Sequence, residues 1–114
     1  ATFGGGSGQD IEQVRGGDLE KHLARGQVTV VDFYADWCGP CRFIAPHLEK
    51  LAKDDDEVVR RKVNVDQNQA LARKYGVRGI PHTVLLDREG RIVHTGLRGD
   101  DLRAAIRELL GPAK

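Results

Sequence analysis

The 114-residue sequence has no methionine, one tryptophan and only two cysteines. Two cysteines cannot build the disulfide framework of a small secreted scaffold. The fold must rest instead on a hydrophobic core, for which a single domain of this length is large enough. Excess charge of either sign is also missing: 18 basic residues face 17 acidic ones, for a formal net charge of +1. Without a broad basic field, neither nucleic acid nor an anionic membrane is an expected partner. No apolar run comes near the ~20 residues that span a bilayer, so direct membrane insertion is not expected either. The start of the chain lacks both the basic and the apolar region of an export signal. Its "ATFGGGSG" has four glycines in eight residues and cannot bury a core. Residues 1–9 are therefore expected to be flexible, either a tag remnant or a natural tether. The missing methionine points to a trimmed start.

Residues 10–114 read as one α/β domain. "DIEQV" suggests a short strand, and a helix capped by Asp18, with Leu19 and Leu23 on one face, ends at Gly26. "VTVVDFYA" is an apolar, β-branched run of strand length, as expected of a strand buried on both faces. From Cys38 to Lys53 the period becomes helical, through Ile44, Leu48 and Leu51, with Pro46 inside. "VVRRKVNVD" reads as a strand whose centre is spoiled by Arg60 and Arg61. "NQALARKYG" is a short helix stopped by Gly76. "PHTVLLDREGRIVHTG" is an antiparallel hairpin turning at "DREG". The last helix carries a stripe of Leu102, Ala105, Ile106 and Leu109, with Asp100 as its expected cap and Gly111 and Pro112 as its stop. The order is β-α-β-α-β-α-β-β-α.

Both cysteines fall in "DFYADWCGPCRFIAP". So short a loop gains little as a structural staple, because the constraint on the unfolded chain grows with loop size. Zinc needs four ligands, but a second C-x-x-C is missing and the histidines lack the usual H-x₃₋₅-H spacing. No metal site is expected. Redox cycling suits the setting better: Cys38 stands where a strand gives way to a helix, so its thiolate can face the unpaired N–H groups of the first turn. Pro40 fits that first turn. Cys41 lies one turn further in and is expected to be less exposed, which makes Cys38 the attacking sulfur and Cys41 the resolving one. Asp32 interrupts the apolar run. The plain reading is a carboxylate facing water or a loop amide. The sharper one is a buried carboxyl with raised pKa, able to take the proton Cys41 must lose.

Together, "VVDFYADWCGPCRFIAPHLEKLA", "VNVDQN" and "YGVRGIPHTVLL" resemble the thioredoxin family, in order and at close to its spacing, over residues 10–110. The resemblance implies the thioredoxin fold: a central mixed β-sheet flanked by helices, with a C-terminal hairpin and helix, and a cis peptide before Pro81. It assigns Cys38 as nucleophile, Cys41 as resolving thiol, Asp32 as buried acid/base and Lys62 as the lysine paired with it. Trp37, Gly39, Pro40, Val65, Ile80, Pro81, Gly96 and Leu97 become the surface on which a substrate strand docks. For Trp37 the plain alternative is a packing aromatic.

Several residues depart from the family pattern. Tyr34 stands where Trp is frequent, His82 follows the proline where Thr is usual, Arg60 and Arg61 occupy a normally apolar strand, and the hairpin turn is one residue longer. His82 either fills a strand position or, if protonated, tunes the redox potential by favouring the thiolate. The function implied is protein-disulfide reduction in the cytoplasm, without cofactor, by a monomer recharged by a thioredoxin-reductase-type donor. The alternatives are a periplasmic or tethered thiol–disulfide donor and a binding subunit using the same surface.

Overall fold

A computed structural model of the chain describes residues 26–111. The N-terminal Gly-rich segment, the expected first strand, the Asp18-capped helix and Pro112 lie outside those residues. Four strands and three helices follow: β1 (Val28–Tyr34), α1 (Gly39–Asp54), β2 (Val58–Asn64), α2 (Gln69–Lys74), β3 (His82–Leu86), β4 (Ile92–Thr95) and α3 (Gly99–Leu110). The sheet order is β2-β1-β3-β4. β1 pairs parallel with β2 and antiparallel with β3, and β3 pairs antiparallel with β4. The mixed sheet and the terminal hairpin are those expected.

Every residue of β1 is buried, as the unbroken apolar run required of a central strand. Alternation then divides the sheet between two layers. Val31, Phe33, Val63, Val84 and Leu86 meet Leu71 and Ala72 of α2 on one side. Val28, Val30, Val58 and Leu85 meet Leu48 of α1 and Leu102, Ala105 and Ile106 of α3 on the other. Helix α1 runs on through Pro46, which withholds a single hydrogen bond from the ladder. In the hairpin turn Asp87 Oδ1 accepts from the N–H groups of Glu89 and Arg91, and Gly90 takes the positive φ of 87° that the reversal needs.

Two expectations are corrected. Arg60 and Arg61 do not break β2: the strand is continuous and both residues are buried, Arg60 to 1 % exposure and Arg61 to 6 %. Strand pairing continues because the backbone ladder is indifferent to the side chain, provided each guanidinium finds a partner. For Arg60 that partner is a carboxylate, described below; Arg61 Nη1 donates to the Arg60 carbonyl. In α3 the N-cap is Arg98, not Asp100, which falls in the first turn together with Asp101. There it favours the positive helix end and accepts from Arg103 at 2.6 Å.

Candidate active site

Helix α1 begins against the end of β1, and Cys38 is its N-cap. The sulfur of Cys38 accepts a hydrogen bond from the Cys41 N–H at 3.1 Å. One orphan amide of the first turn is thus spent on that sulfur, where it would favour negative charge. Pro40, in the first turn of α1, carries no N–H that would need a partner. Cys38 and Cys41 are joined by a disulfide, with Cα atoms 5.3 Å apart. The structure is therefore the oxidised form.

The expected difference in exposure is absent. Cys38 is 3 % exposed and Cys41 5 %, because both pack with Tyr34 and Ala35 under Val65 and Ile80. What distinguishes them is surroundings. Cys38 caps the helix, whereas Cys41 lines a cavity of about 270 Å³ shared with Asp32, Tyr34, Ala35, Asp36, Arg42, Ala45, Arg60 and Lys62.

Asp32 is 2 % exposed. Burial raises its pKa above the ordinary carboxylate value, and it outweighs the opposing pull of Arg60 and Lys62. The hydrogen-bonded partner of the carboxylate is Arg60, whose Nη2 lies 2.9 Å from Oδ2. This corrects the expected pairing with Lys62. The parallel register sets Lys62 beside Asp32 and Arg60 beside Val30, so both cations share the face of the carboxyl. Arg60 comes from deeper in the sheet and reaches along it. Lys62 is half-buried, its Nζ 4.7 Å from the centre of the Tyr34 ring, and influences Asp32 only through space. Sequence reasoning missed Arg60 as a site residue. Its signal is there, a charged residue at an inward position of a central strand, but by itself it reads as disruption.

A model of the thioredoxin family matches residues 10–108. The chain belongs to that family. It is 36 % identical to thioredoxin of Echinococcus granulosus over 100 residues, 88 % of this chain and 91 % of the relative. It is 44 % identical to the mitochondrial thioredoxin-2 of Schizosaccharomyces pombe over 75 residues, 66 % of this chain, and spans only 56 % of that protein. Among solved structures, a mutant thioredoxin from Halobacterium salinarum superposes with a TM-score of 0.79 at 36 % identity, covering 97 % of this chain and all of that one.

Of the residues that the thioredoxin pattern assigns to docking, Val65 and Ile80 pack against the cluster that holds both cysteines. Trp37 is 68 % exposed, which excludes a packing aromatic. Its indole Nε1 donates to Asp66 Oδ2 at 2.8 Å. Asp66 is a second residue missed from sequence: it lies in "VNVDQN", far along the chain, and only the β2–α2 loop carries it back. Trp37, Val65 and Ile80 line a shallow groove of about 200 Å³ with Ala72, Val77, Arg78 and Gly79. The Ile80–Pro81 peptide is cis, and Pro81 is buried. Gly96, at φ 78°, donates to the Thr83 carbonyl at 2.8 Å. Leu97 packs on the α1/α3 layer, and Gly39 and Pro40 stand at the helix start. Gly96 and Leu97 are not part of the Trp37 groove.

His82 pairs in register with Phe33, their rings 6.1 Å apart. Its Nε2 is buried without a hydrogen-bond partner among the described residues. Burial lowers its pKa, which disfavours the imidazolium considered from sequence. Among the described residues, no cluster of three or more His, Cys, Asp or Glu could hold a metal ion. None of their helices is long and apolar enough to cross a membrane.

Proposed function

We propose that the chain is a protein-disulfide reductase working through the Cys38–Cys41 couple. The observation that carries the reading is the arrangement around the two sulfurs: one caps a helix, and the other shares a cavity with a buried carboxyl of raised pKa.

In the reduced state the Cys38 thiolate, favoured by the helix end, attacks one sulfur of a substrate disulfide. A mixed disulfide forms at Cys38, and the other substrate sulfur leaves as a thiolate and is protonated. Cys41 then gives its proton to ionised Asp32 across the cavity and attacks Cys38 Sγ. The new bond is the intramolecular disulfide seen here. The bond to the substrate breaks, and the second substrate thiolate leaves to be protonated. Two electrons pass from the dithiol to the substrate, and a reductase of the thioredoxin-reductase type would return them with two protons. Burial suits Asp32 to this task, since a carboxyl with raised pKa is a stronger base than a solvated one.

The docking surface would comprise Trp37, Gly39, Pro40, Val65, Ile80, Pro81, Gly96 and Leu97, which combine an exposed indole with glycine-rich backbone. We place the protein in the cytoplasm as a monomer, because a reducing compartment keeps the dithiol in its working form. Cell fractionation and sedimentation test those two points. The catalytic reading is tested by insulin reduction with dithiothreitol or a reductase as donor. Wild type should turn over, Cys38→Ser should not, and Cys41→Ser should accumulate mixed disulfides. A Cys38→Ser variant as active as wild type would overturn the reading.

A further inference from the structure

Arg60 is the one fully buried cation of the described core, at 1 % exposure. It stands between two carboxylates: Nη2 is 2.9 Å from Asp32 Oδ2, and Nη1 is 3.5 Å from Oε2 of Glu49 on α1. Asp32 is buried, whereas the Glu49 side chain is 55 % exposed. One guanidinium therefore connects the interior carboxyl to the helix surface. It is not saturated: Arg60 Nε and Nη1 and Asp32 Oδ1 are buried without hydrogen-bond partners among the described residues. A buried arginine with unused donors is costly to keep, and valine at this inward position would extend the apolar layer of Val28, Val30 and Val58. A task for the charge would account for its presence.

We propose that Arg60 is a positioning residue for Asp32, holding its carboxylate ionised and aimed so that it can accept the Cys41 proton, with Glu49 moderating the hold from the other end of the guanidinium. The inference rests on the reading of Asp32 as the proton acceptor. Its charged and titratable surroundings are Tyr34 on β1, Asp36 in the following loop, Cys41, Arg42 and Glu49 on α1, and Arg60 and Lys62 on β2. From β3 it faces Thr83, whose hydroxyl is committed to the Leu97 carbonyl. Arg42 is turned away, its Nη2 on the Asp36 carbonyl at 2.6 Å, and Lys62 sits on the Tyr34 ring. Arg60 alone among these cations bonds the carboxyl directly.

The sign of each perturbation follows from the geometry. Removing the Arg60 charge disfavours the carboxylate, so Asp32 titrates at higher pH. Removing the Glu49 charge releases Arg60 toward Asp32, so Asp32 titrates at lower pH. The test is the Asp32 carboxyl ¹³C chemical shift followed against pH in the oxidised full-length chain, at low salt. Wild type is compared with Arg60→Met, Arg60→Lys and Glu49→Gln. Arg60→Met should move the midpoint up by about 1 pH unit or more, since an adjacent opposite charge is worth that much. Arg60→Lys should recover part of the shift, and Glu49→Gln should move the midpoint down by a few tenths of a unit. A folded Arg60→Met with an unmoved midpoint overturns the proposal. If Arg60→Met fails to fold, Glu49→Gln decides: a downward shift supports the proposal, and no shift or an upward one overturns it. The rate of mixed-disulfide resolution against pH, by rapid acid quench, separates the two readings. If the Asp32 midpoint moves and the resolution profile does not follow, Asp32 is not the proton acceptor, while its control by Arg60 stands.

Discussion

The two faces of the central sheet are built on opposite rules. Toward α2, β1 presents Val31 and Phe33, which join Val63, Val84 and Leu86 in a layer that is 0–1 % exposed. Toward α1 and α3 the same strand presents Val28 and Val30, but then Asp32, with Arg60 buried beside it and a cavity opening to Cys41. Close packing stabilises the first face, and any lost methylene there leaves a void. The second face gives up part of that packing to hold a carboxyl, a guanidinium and space next to a reactive sulfur. Desolvating both charges costs free energy that their attraction recovers only in part. The raised pKa of Asp32 has the same sense for the carboxyl: even with Arg60 in contact, burial disfavours its ionised form. One face is given wholly to packing, and the other combines an apolar layer with a charged site that costs stability.

Substitutions that separate these roles should differ in kind as well as size. On the reactive side, Cys38→Ser should abolish insulin reduction, whereas Cys41→Ser should retain the first attack and trap mixed disulfides on gels. Equal trapping by both would remove the distinction between the two sulfurs. On the α2 face, Leu86→Ala should cost about 2–5 kcal/mol in urea unfolding and leave the pH profile of resolution unchanged.

Asp32→Asn should behave in the opposite way, slowing resolution while stabilising the fold. The carboxyl binds its proton more tightly folded than unfolded, so its ionisation costs stability as pH rises from its unfolded value through its folded one. Above that window the variant escapes the cost, and Tm should be higher by roughly 2–5 °C at pH 8. Below it the gain should vanish. The gain stays modest because the neutral amide, although its oxygen can still accept from Arg60, leaves the buried guanidinium without its counter-charge. A variant less stable than wild type at pH 8 would mean that the ion pair outweighs the burial of its charges.

Smaller effects are expected at the margins of the site. Asp66→Ala frees the Trp37 indole, and KM for a protein substrate should rise about two- to fivefold with kcat little changed, as for loss of one exposed hydrogen bond. His82→Thr should shift the reduction potential by less than about 10 mV at pH 7, since burial disfavours the protonated form of the wild-type ring. Glutathione-equilibrium titration at pH 5 and 7 checks this, and any difference should grow toward the acid end, where the imidazole gains its proton.

Local pattern alone was enough for much of the molecule. "VTVVDFYA" announces a strand buried on both faces, because Thr29 and Asp32 are too few to give water a polar side. "WCGPC" marks a helix start, because proline is tolerated in the first turn and a sulfur can serve as cap. "DREG" turns the hairpin, because Asp87 satisfies two amides and glycine takes the left-handed conformation. These features depend on residues within a few positions of one another.

The rest depends on which residues meet across the sheet, and only the tertiary structure decided it. From sequence, Lys62 is the expected partner of Asp32 and Arg60 an interruption. The parallel register puts both cations on the carboxyl's face, and reach within a packed interior then selects Arg60, while the Tyr34 ring takes Lys62. Exposure of the two cysteines is expected to differ and does not, because both sit in one buried cluster with Tyr34 and Ala35, against which Val65 and Ile80, distant in sequence, pack. Trp37 finds Asp66 only because β2 returns parallel to β1 and ends beside it. Hydrogen bonds and ion pairs act over a few ångströms. A single sequence specifies which groups are able to form them, but the distances exist only once the chain has packed.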